Sequence, residues 1–174
     1  MSAYLVDECF REAVSREQWG VAPDGYWHRR YTARDEHGRV TGRKRQFMHN
    51  FVWMLAGRPA LPSGVTLDHI NRKPADNRLE NLRPATRRLQ NLNRRTPRRS
   101  QHGMPRGVRC DTTTFRRRPF QAFFLDTAGR RTLGRFATAE EASAAYERAL
   151  AVAIEQELAL IRELLPEAPL TRAR

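Results

Sequence analysis

The sequence contains two cysteines, two lysines and no long apolar run. Cys9 and Cys110 lie far apart and form no CxxC pair, so neither a structural zinc site nor a disulfide framework is predicted. No secretory signal and no apolar run of about eighteen residues occurs. These absences favour a soluble, cytoplasmic protein that has no membrane partner.

Positive charge, by contrast, is in large excess and is concentrated in one stretch. The 174 residues carry a formal net charge of +13. Residues 78–118 contribute +11 of it, from thirteen arginines against Glu80 and Asp111. Only Lys44 and Lys73 are lysines. An excess of this size predicts a polyanionic partner, with nucleic acid first, and arginine can bind phosphates and guanine edges at two points.

The first part of the chain has the periodicities of a mixed α and β fold. Residues 1–20 predict a short helix, because apolar side chains recur at helical spacing. Residues 25–31 and 38–47 predict the strands of a β-hairpin, with a turn at residues 35–38. Residues 49–57 predict a helix with one apolar face, ended by glycine and proline.

A strand, a polar loop, an edge strand and a helix are then predicted within about thirty residues. The first strand, 65–67, leads to Asp68 and His69. The second, 82–86, tolerates its proline only at a sheet edge, and a helix over residues 87–95 follows.

These residue types suit the hydrolysis of a phosphodiester. A neutral imidazole, His69, can take the proton of an attacking water. Asp68 and Asn91 can offer oxygens to a hard divalent cation, and the amide of Asn81 can hold the loop. In a regular strand Asp68 and His69 point to opposite faces, so the strand end must twist for both to reach one cleft.

The segment LDHINRKPADNRLENLRPATRRLQNLNRR, residues 67–95, resembles the HNH endonucleases of the phage and homing type, which have a ββα-metal active site. With its lead-in, the resemblance covers residues 24–95. It implies His69 as general base, Asp68 as a ligand of one Mg²⁺ or Mn²⁺ per active site, and Asn81 as the central structural asparagine.

Two positions of the resemblance stay open. The third ligand, usually histidine or asparagine, falls on Asn91, but many relatives place it one residue earlier, where this sequence has Gln90. His49 matches a histidine usual in the lead-in, where a packing role and a catalytic role are both compatible with the pattern.

A second module follows an aperiodic Pro/Gly/Arg-rich linker. Three strands are predicted, ending at residue 136, and Thr138 with Glu141 forms a capping box that opens a helix reaching Leu165. Residues 107–150 resemble the APETALA-type, or ethylene-response-factor, DNA-binding domain. The resemblance implies a three-stranded sheet that enters the major groove of duplex DNA, with the helix packed behind it.

The expected architecture is α+β, with a ββα-metal module before a small antiparallel sheet and helix. Its expected parts are an N-terminal helical segment (1–23), the HNH module (24–95), a basic linker (96–106), the APETALA-type domain with an extended helix (107–165) and a tail (166–174). The arginines expected to bind DNA are Arg83, Arg87, Arg88, Arg94 and Arg95 near the cut, and Arg109, Arg116, Arg117, Arg118, Arg130, Arg131 and Arg135 on or beside the later strands.

The sequence therefore predicts a metal-dependent endonuclease that cuts double-stranded DNA in the cytoplasm of a bacterial host or phage-infected cell. One active site per chain predicts a monomer that nicks one strand, with no small-molecule substrate. The alternative is a non-catalytic, sequence-specific DNA-binding regulator, which plasmid cleavage would distinguish. An RNA-binding protein fits the charge but not the second module.

Overall fold

The computed structural model describes residues 3–94, 103–113, 117–126 and 129–165. Within these ranges it contains four α-helices and eight strands in three antiparallel sheets, which confirms the expected α+β class. Contacts divide the chain into two compact units, Met1–Asn93 with Ile161–Arg174, and Arg94–Leu160. Outside the described residues lie most of the expected linker, the expected tail (166–174), and two of the expected DNA contacts, Arg95 and Arg116.

The first unit begins with α1 (Glu8–Ser15) and a three-stranded sheet. This sheet consists of β1 (Gly20–Val21), β2 (Trp27–Arg34) and β3 (Val40–Phe47), and helix α2 (Met48–Leu55) follows directly. The hairpin turn between β2 and β3 occurs where the sequence predicted it.

The prediction of a helix over residues 1–20 is wrong at both ends, because α1 spans only Glu8–Ser15. On the N-terminal side, Leu5 is engaged by the backbone of a distant loop, accepting from Asn77 N and donating to Ala75 O. On the C-terminal side, the Trp19 indole donates to the Val14 carbonyl at 2.8 Å, and Gly20 joins β1. Both competing interactions satisfy backbone groups that a longer helix would otherwise use.

The next elements are β4 (Val65–His69), a 3₁₀ turn (Leu79–Asn81), β5 (Leu82–Thr86) and α3 (Arg87–Asn93). Strand β4 is longer than the 65–67 expected and includes the Asp-His pair. In its antiparallel register with β5, Asp68 faces Arg83 and His69 faces Leu82. Thr86 Oγ1 accepts from Leu89 N at 3.1 Å, which caps the first turn of α3.

The apolar core of this unit supports the β4–β5 pair. Met48, Phe51 and Val52 of α2 pack against Val14 of α1 and Leu82 of β5. Burial of each such side chain contributes roughly 1.5–3 kcal/mol. Because Leu82 is the cross-strand neighbour of His69, this core fixes the end of β4.

The second unit contains the sheet of β6 (Val108–Cys110), β7 (Phe120–Asp126) and β8 (Gly129–Phe136), followed by α4 (Ala139–Leu164), which belongs to this unit as far as Leu160. Its core brings together Val108, Ala122, Ala142 and Ala145. The expected capping box is present: Glu141 N donates to Thr138 Oγ1, and the Glu141 carboxylate accepts from Thr138 N. None of the helices in the described ranges is long and apolar enough to cross a membrane.

Candidate active site

Asn81 ties together the two ends of the loop between β4 and β5. Its Oδ1 accepts from Asn71 N at 2.9 Å, and its Nδ2 donates to the Asp76 carbonyl at 2.7 Å. Asp76 in turn accepts from Arg78 and from the Asn71 amide. These hydrogen bonds hold the pKa of Asp76 below its ordinary value, and those from Arg78 make the largest contribution.

The N-terminal segment also holds this loop, which the sequence did not suggest. Leu5 N donates to Ala75 O at 2.7 Å, and Asn77 N donates to Leu5 O at 2.8 Å. Asp7 Oδ2 accepts from Leu79 N at 2.8 Å. The loop is therefore fixed from both sides, by its own side chains and by residues about seventy positions earlier.

His69 is buried, with 3% of its surface exposed. Its ring meets the rings of Tyr26 and His49 edge-on, at centroid distances of 5.6 and 5.3 Å. Nε2 lies 3.2 Å from Asn77 Oδ1, and Nδ1 is buried without a hydrogen-bond partner among the described residues. Burial lowers the pKa of His69, although Asn77, Asp68 and Asp76 oppose the shift, so the ring is neutral at pH 7.

His49 is a buried neighbour of His69. Its ring stacks on Phe47 at 5.3 Å. Burial, with a smaller contribution from His69, lowers its pKa to about 3, so His49 is also neutral at physiological pH.

Asp68 is the focus of three hydrogen bonds. Arg83 donates through Nη2 and Nε at 3.1 and 3.2 Å, and Asn93 Nδ2 donates at 2.9 Å. All three reach Oδ2. Asn93 also donates to the carbonyl of His69 at 3.0 Å, which joins the end of α3 to both members of the Asp-His pair.

Helix α3 turns a different asparagine toward Asp68 than the one expected. Asn91 is exposed, whereas Asn93, two residues later, contacts Asp68. Gln90 donates to Thr66 Oγ1 of β4. Residues 90 and 93 are three apart and share a helix face, while residue 91 is rotated about 100° from residue 90.

The oxygens near Asp68 fit a hard divalent cation. Asp68 offers a carboxylate oxygen, and Asn93, whose amide nitrogen donates to Asp68, carries an amide oxygen on the same side-chain amide. The described residues contain no cluster of three or more His, Cys, Asp or Glu that could hold a metal. Such a sparse oxygen set suits Mg²⁺ or Mn²⁺, because these ions take most ligands from water and substrate.

The arginines expected to bind DNA differ in their surroundings. Arg83 pairs with Asp68, and both side chains are about 15% exposed. On the sheet of the second unit, Arg109 donates to Gln121, and Arg130 lies 3.7 Å over the ring of Phe123. Arg131 and Arg135 lie 3.9 Å from Asp126 and Asp111. The remaining described members are Arg87, Arg94, Arg117 and Arg118, which are exposed, and Arg88, which is half-buried.

A basic row on the β2–β3 hairpin was missed. Arg30 lies directly opposite Arg45, and Arg43 lies opposite Thr32. These arginines are exposed and occupy the same sheet face as Phe47, whose ring stacks on His49. Like charges placed directly opposite each other are unfavourable without an anion. In the sequence, the spacing of Arg43 and Arg45 two residues apart on a predicted strand indicates that both lie on one sheet face.

Residues 46–92 match the family model described as HNH endonuclease. The matched segment begins at the end of β3 and contains α2, β4, the loop, β5 and nearly all of α3. Comparison with curated proteins and with solved structures gave no significant match. The family match supports an HNH nuclease module here and, in general terms, a DNA endonuclease.

Proposed function

We propose that this protein is a metal-dependent DNA endonuclease of the homing or phage HNH type, in which His69 is the general base. Asp68 and Asn93 would hold one Mg²⁺ or Mn²⁺. The observation that carries the proposal is the buried His69, whose Nδ1 has no partner among the described residues. It directly follows Asp68, to which Asn93 donates. We choose Asn93 over the expected Asn91 because Asn93 donates to Asp68.

His69 would take the proton of the attacking water at Nδ1. The new oxygen–phosphorus bond forms as the bond from phosphorus to the 3′ oxygen breaks. This leaves a 5′-phosphate and a 3′ oxygen that takes a proton from solvent water to become the hydroxyl, and His69 then releases its proton to solvent. The cation, when bound, neutralises charge that develops on the phosphoryl oxygens and on the leaving oxygen. Because Nδ1 is shielded from solvent in the structure, the attacking water must enter with the DNA or by displacement of a neighbouring side chain.

The second unit would bind duplex DNA in the manner of the APETALA-type domain. Its three-stranded antiparallel sheet packs one face on α4 through Ala122 and Ala142. The other face carries Arg109, Gln121 and Thr132, joined by side-chain hydrogen bonds. A row of donors on a β-ribbon is suited to groove and phosphate contacts. A monomer with one such module and one cutting site would nick one strand.

The decisive experiment is cleavage of supercoiled plasmid with and without Mg²⁺ or Mn²⁺. The full chain should produce nicked circles only with metal. His69→Ala should lower the rate by roughly two to four orders of magnitude while leaving DNA affinity nearly unchanged. His37→Ala is the matched control, because His37 is exposed in the β2–β3 turn. Wild-type protein that binds DNA but never nicks it would favour the non-catalytic regulator instead.

A further inference from the structure

Asn77 is among the most buried polar residues of the described chain, with 1% of its surface exposed. Its side chain lies beside the His69 ring, with Oδ1 3.2 Å from Nε2. The other end of the amide faces the Pro74 carbonyl and the Met48 sulfur, both at 3.5 Å. A carbonyl only accepts hydrogen bonds, so the amide NH₂ belongs on the Pro74 side and Oδ1 on the His69 side.

This orientation determines which nitrogen of the neutral His69 ring carries the proton. An amide oxygen cannot donate, so Nε2 must be the N–H that Asn77 accepts. In the other tautomer two buried lone pairs would face each other, and an unsatisfied buried acceptor costs about 1–3 kcal/mol. Nδ1 is left with its lone pair and has no partner among the described residues.

The backbone keeps Asn77 in place. Asn77 N donates to the Leu5 carbonyl, and the adjacent Asp76 is held by Arg78 and Asn71. With backbone and amide both engaged, the side chain has little freedom to turn its NH₂ toward His69.

We infer that Asn77 is a positioning residue that locks His69 in the Nε2–H tautomer and so presents Nδ1 as the proton acceptor. This inference rests on the proposed function, in which His69 is the general base. The reason is the same as for other paired histidines: the hydrogen bond at one ring nitrogen determines the state of the other.

The test measures the tautomer directly, by long-range ¹H–¹⁵N NMR of the full chain labelled with ¹⁵N-histidine. The His69 signal is assigned by its loss in His69→Ala. Wild-type His69 should show the Nε2–H pattern above its titration range. Asn77→Asp keeps an oxygen acceptor and should keep that tautomer. Asn77→Leu has a similar volume without an acceptor, so it should populate the Nδ1–H form.

Cleavage provides the second measurement. Asn77→Leu should lower kcat about 10–100-fold, the usual range for an orienting partner, with little change in KM, and Asn77→Asp should be less impaired. The control is Asn71→Ala, which loses bonds to Asp76 and Lys73 in the same loop but does not touch His69. It should keep the wild-type tautomer even if the loop is less stable.

The inference is overturned if wild-type His69 carries its proton on Nδ1, a result that needs no variant to fold. It is equally overturned if a folded Asn77→Leu keeps the Nε2–H form. Failure of the proposed function looks different: the NMR pattern would be as expected, but neither wild type nor any variant would cleave DNA.

Discussion

Arg83 lies opposite Asp68 in the β4–β5 register and donates two hydrogen bonds to the same carboxylate oxygen, Oδ2. A guanidinium at this distance stabilises the carboxylate in the absence of metal and opposes the approach of a second cation. The two roles of Arg83 can be separated by substitution.

Arg83→Met should destabilise the metal-free protein by roughly 3 kcal/mol, because it leaves a largely buried carboxylate without its charged partner. Adding Mg²⁺ should then raise the thermal midpoint more in the variant than in wild type, since a bound cation stabilises the folded state by mass action. Thermal unfolding of both proteins, once with added Mg²⁺ and once with excess chelator in its place, measures both effects. Asp68→Asn in the same background should abolish the additional response to Mg²⁺, and its persistence would show that the ion binds elsewhere.

The ligand assignment on α3 predicts an order among three amide variants. Asn93→Ala should raise the Mg²⁺ concentration for half-maximal nicking far more than Asn91→Ala or Gln90→Ala, because Asn93 donates a hydrogen bond to Asp68. Loss of one protein ligand of two should cost on the order of tenfold in metal affinity. A larger effect from Asn91→Ala would make Asn91 the third ligand, as the sequence predicts. A larger effect from Gln90→Ala would place that ligand one residue earlier, at Gln90.

His49 predicts a specific loss of stability in acid. Its folded pKa of about 3 lies below the ordinary value of about 6.5, so the unfolded chain binds the proton more readily. Stability from this group is complete above pH 6.5 and falls as the pH falls toward 3. At pH 5 the loss is about 2 kcal/mol.

Urea unfolding at pH 7.5 and pH 5.0 measures this effect. The decrease between the two pH values should be about 2 kcal/mol smaller in His49→Gln than in wild type. The Asp76 carboxyl, whose pKa is also lowered, titrates at lower pH and contributes little in this window. An equal decrease in both proteins would mean that His49 is not buried in its neutral form.

Local chemistry explains why much of this fold could be predicted. The β2–β3 turn, the ββα order and the capping box of Thr138 with Glu141 all depend on residues close in sequence, whose backbone preferences act without tertiary help. The Asp-His pair was recognisable for the same reason, since it follows directly on a short apolar strand.

What could not be predicted depends on helix phase and on distant contacts. The residue of α3 that faces Asp68 is set by where β5 ends and the helix begins, and a shift of one or two positions changes the amide presented. The contacts of Leu5 and Asp7 with the loop at residues 75–79 join segments about seventy positions apart. The sequence predicts only a polar loop around Asn77, because only the folded chain brings its amide oxygen to His69 Nε2.

Gly107 should be essential to the second unit. It has a φ of +71°, and a Cβ there would lie 2.1 Å from Cδ2 of Tyr146 and 2.8 Å from the Phe123 carbonyl. Gly107→Ala should therefore cost roughly 2–5 kcal/mol, from the left-handed backbone together with overpacking. Gly103→Ala is the matched control, with the same φ of +71° and open space around the new methyl group. Urea unfolding measures the loss of folding stability in each variant. Equal losses would show that the contact with Tyr146 does not add to the cost of a side chain at residue 107.

The sheet of the second unit predicts how DNA binding should depend on salt. Arg109 and Arg130 are exposed on its strands, and each phosphate that an arginine neutralises contributes about 0.9 to the slope of log affinity against log salt. In a non-cutting His69→Ala background, Arg109→Ala and Arg130→Ala should each make that slope shallower by about 0.9 if the residue binds a phosphate. A residue that instead reads a base edge should leave the slope nearly unchanged and reduce the preference among duplex sequences.

Arg148→Ala is the matched control for these variants, because Arg148 is exposed on α4 rather than on the sheet. Fluorescence anisotropy with a labelled duplex at several salt concentrations provides the slopes, and competition between duplexes provides the preference. Arg148→Ala should change neither. If Arg148→Ala weakens binding as much as the two sheet variants do, the DNA lies along the helix or is held by charge alone, and the APETALA-type mode of binding is wrong.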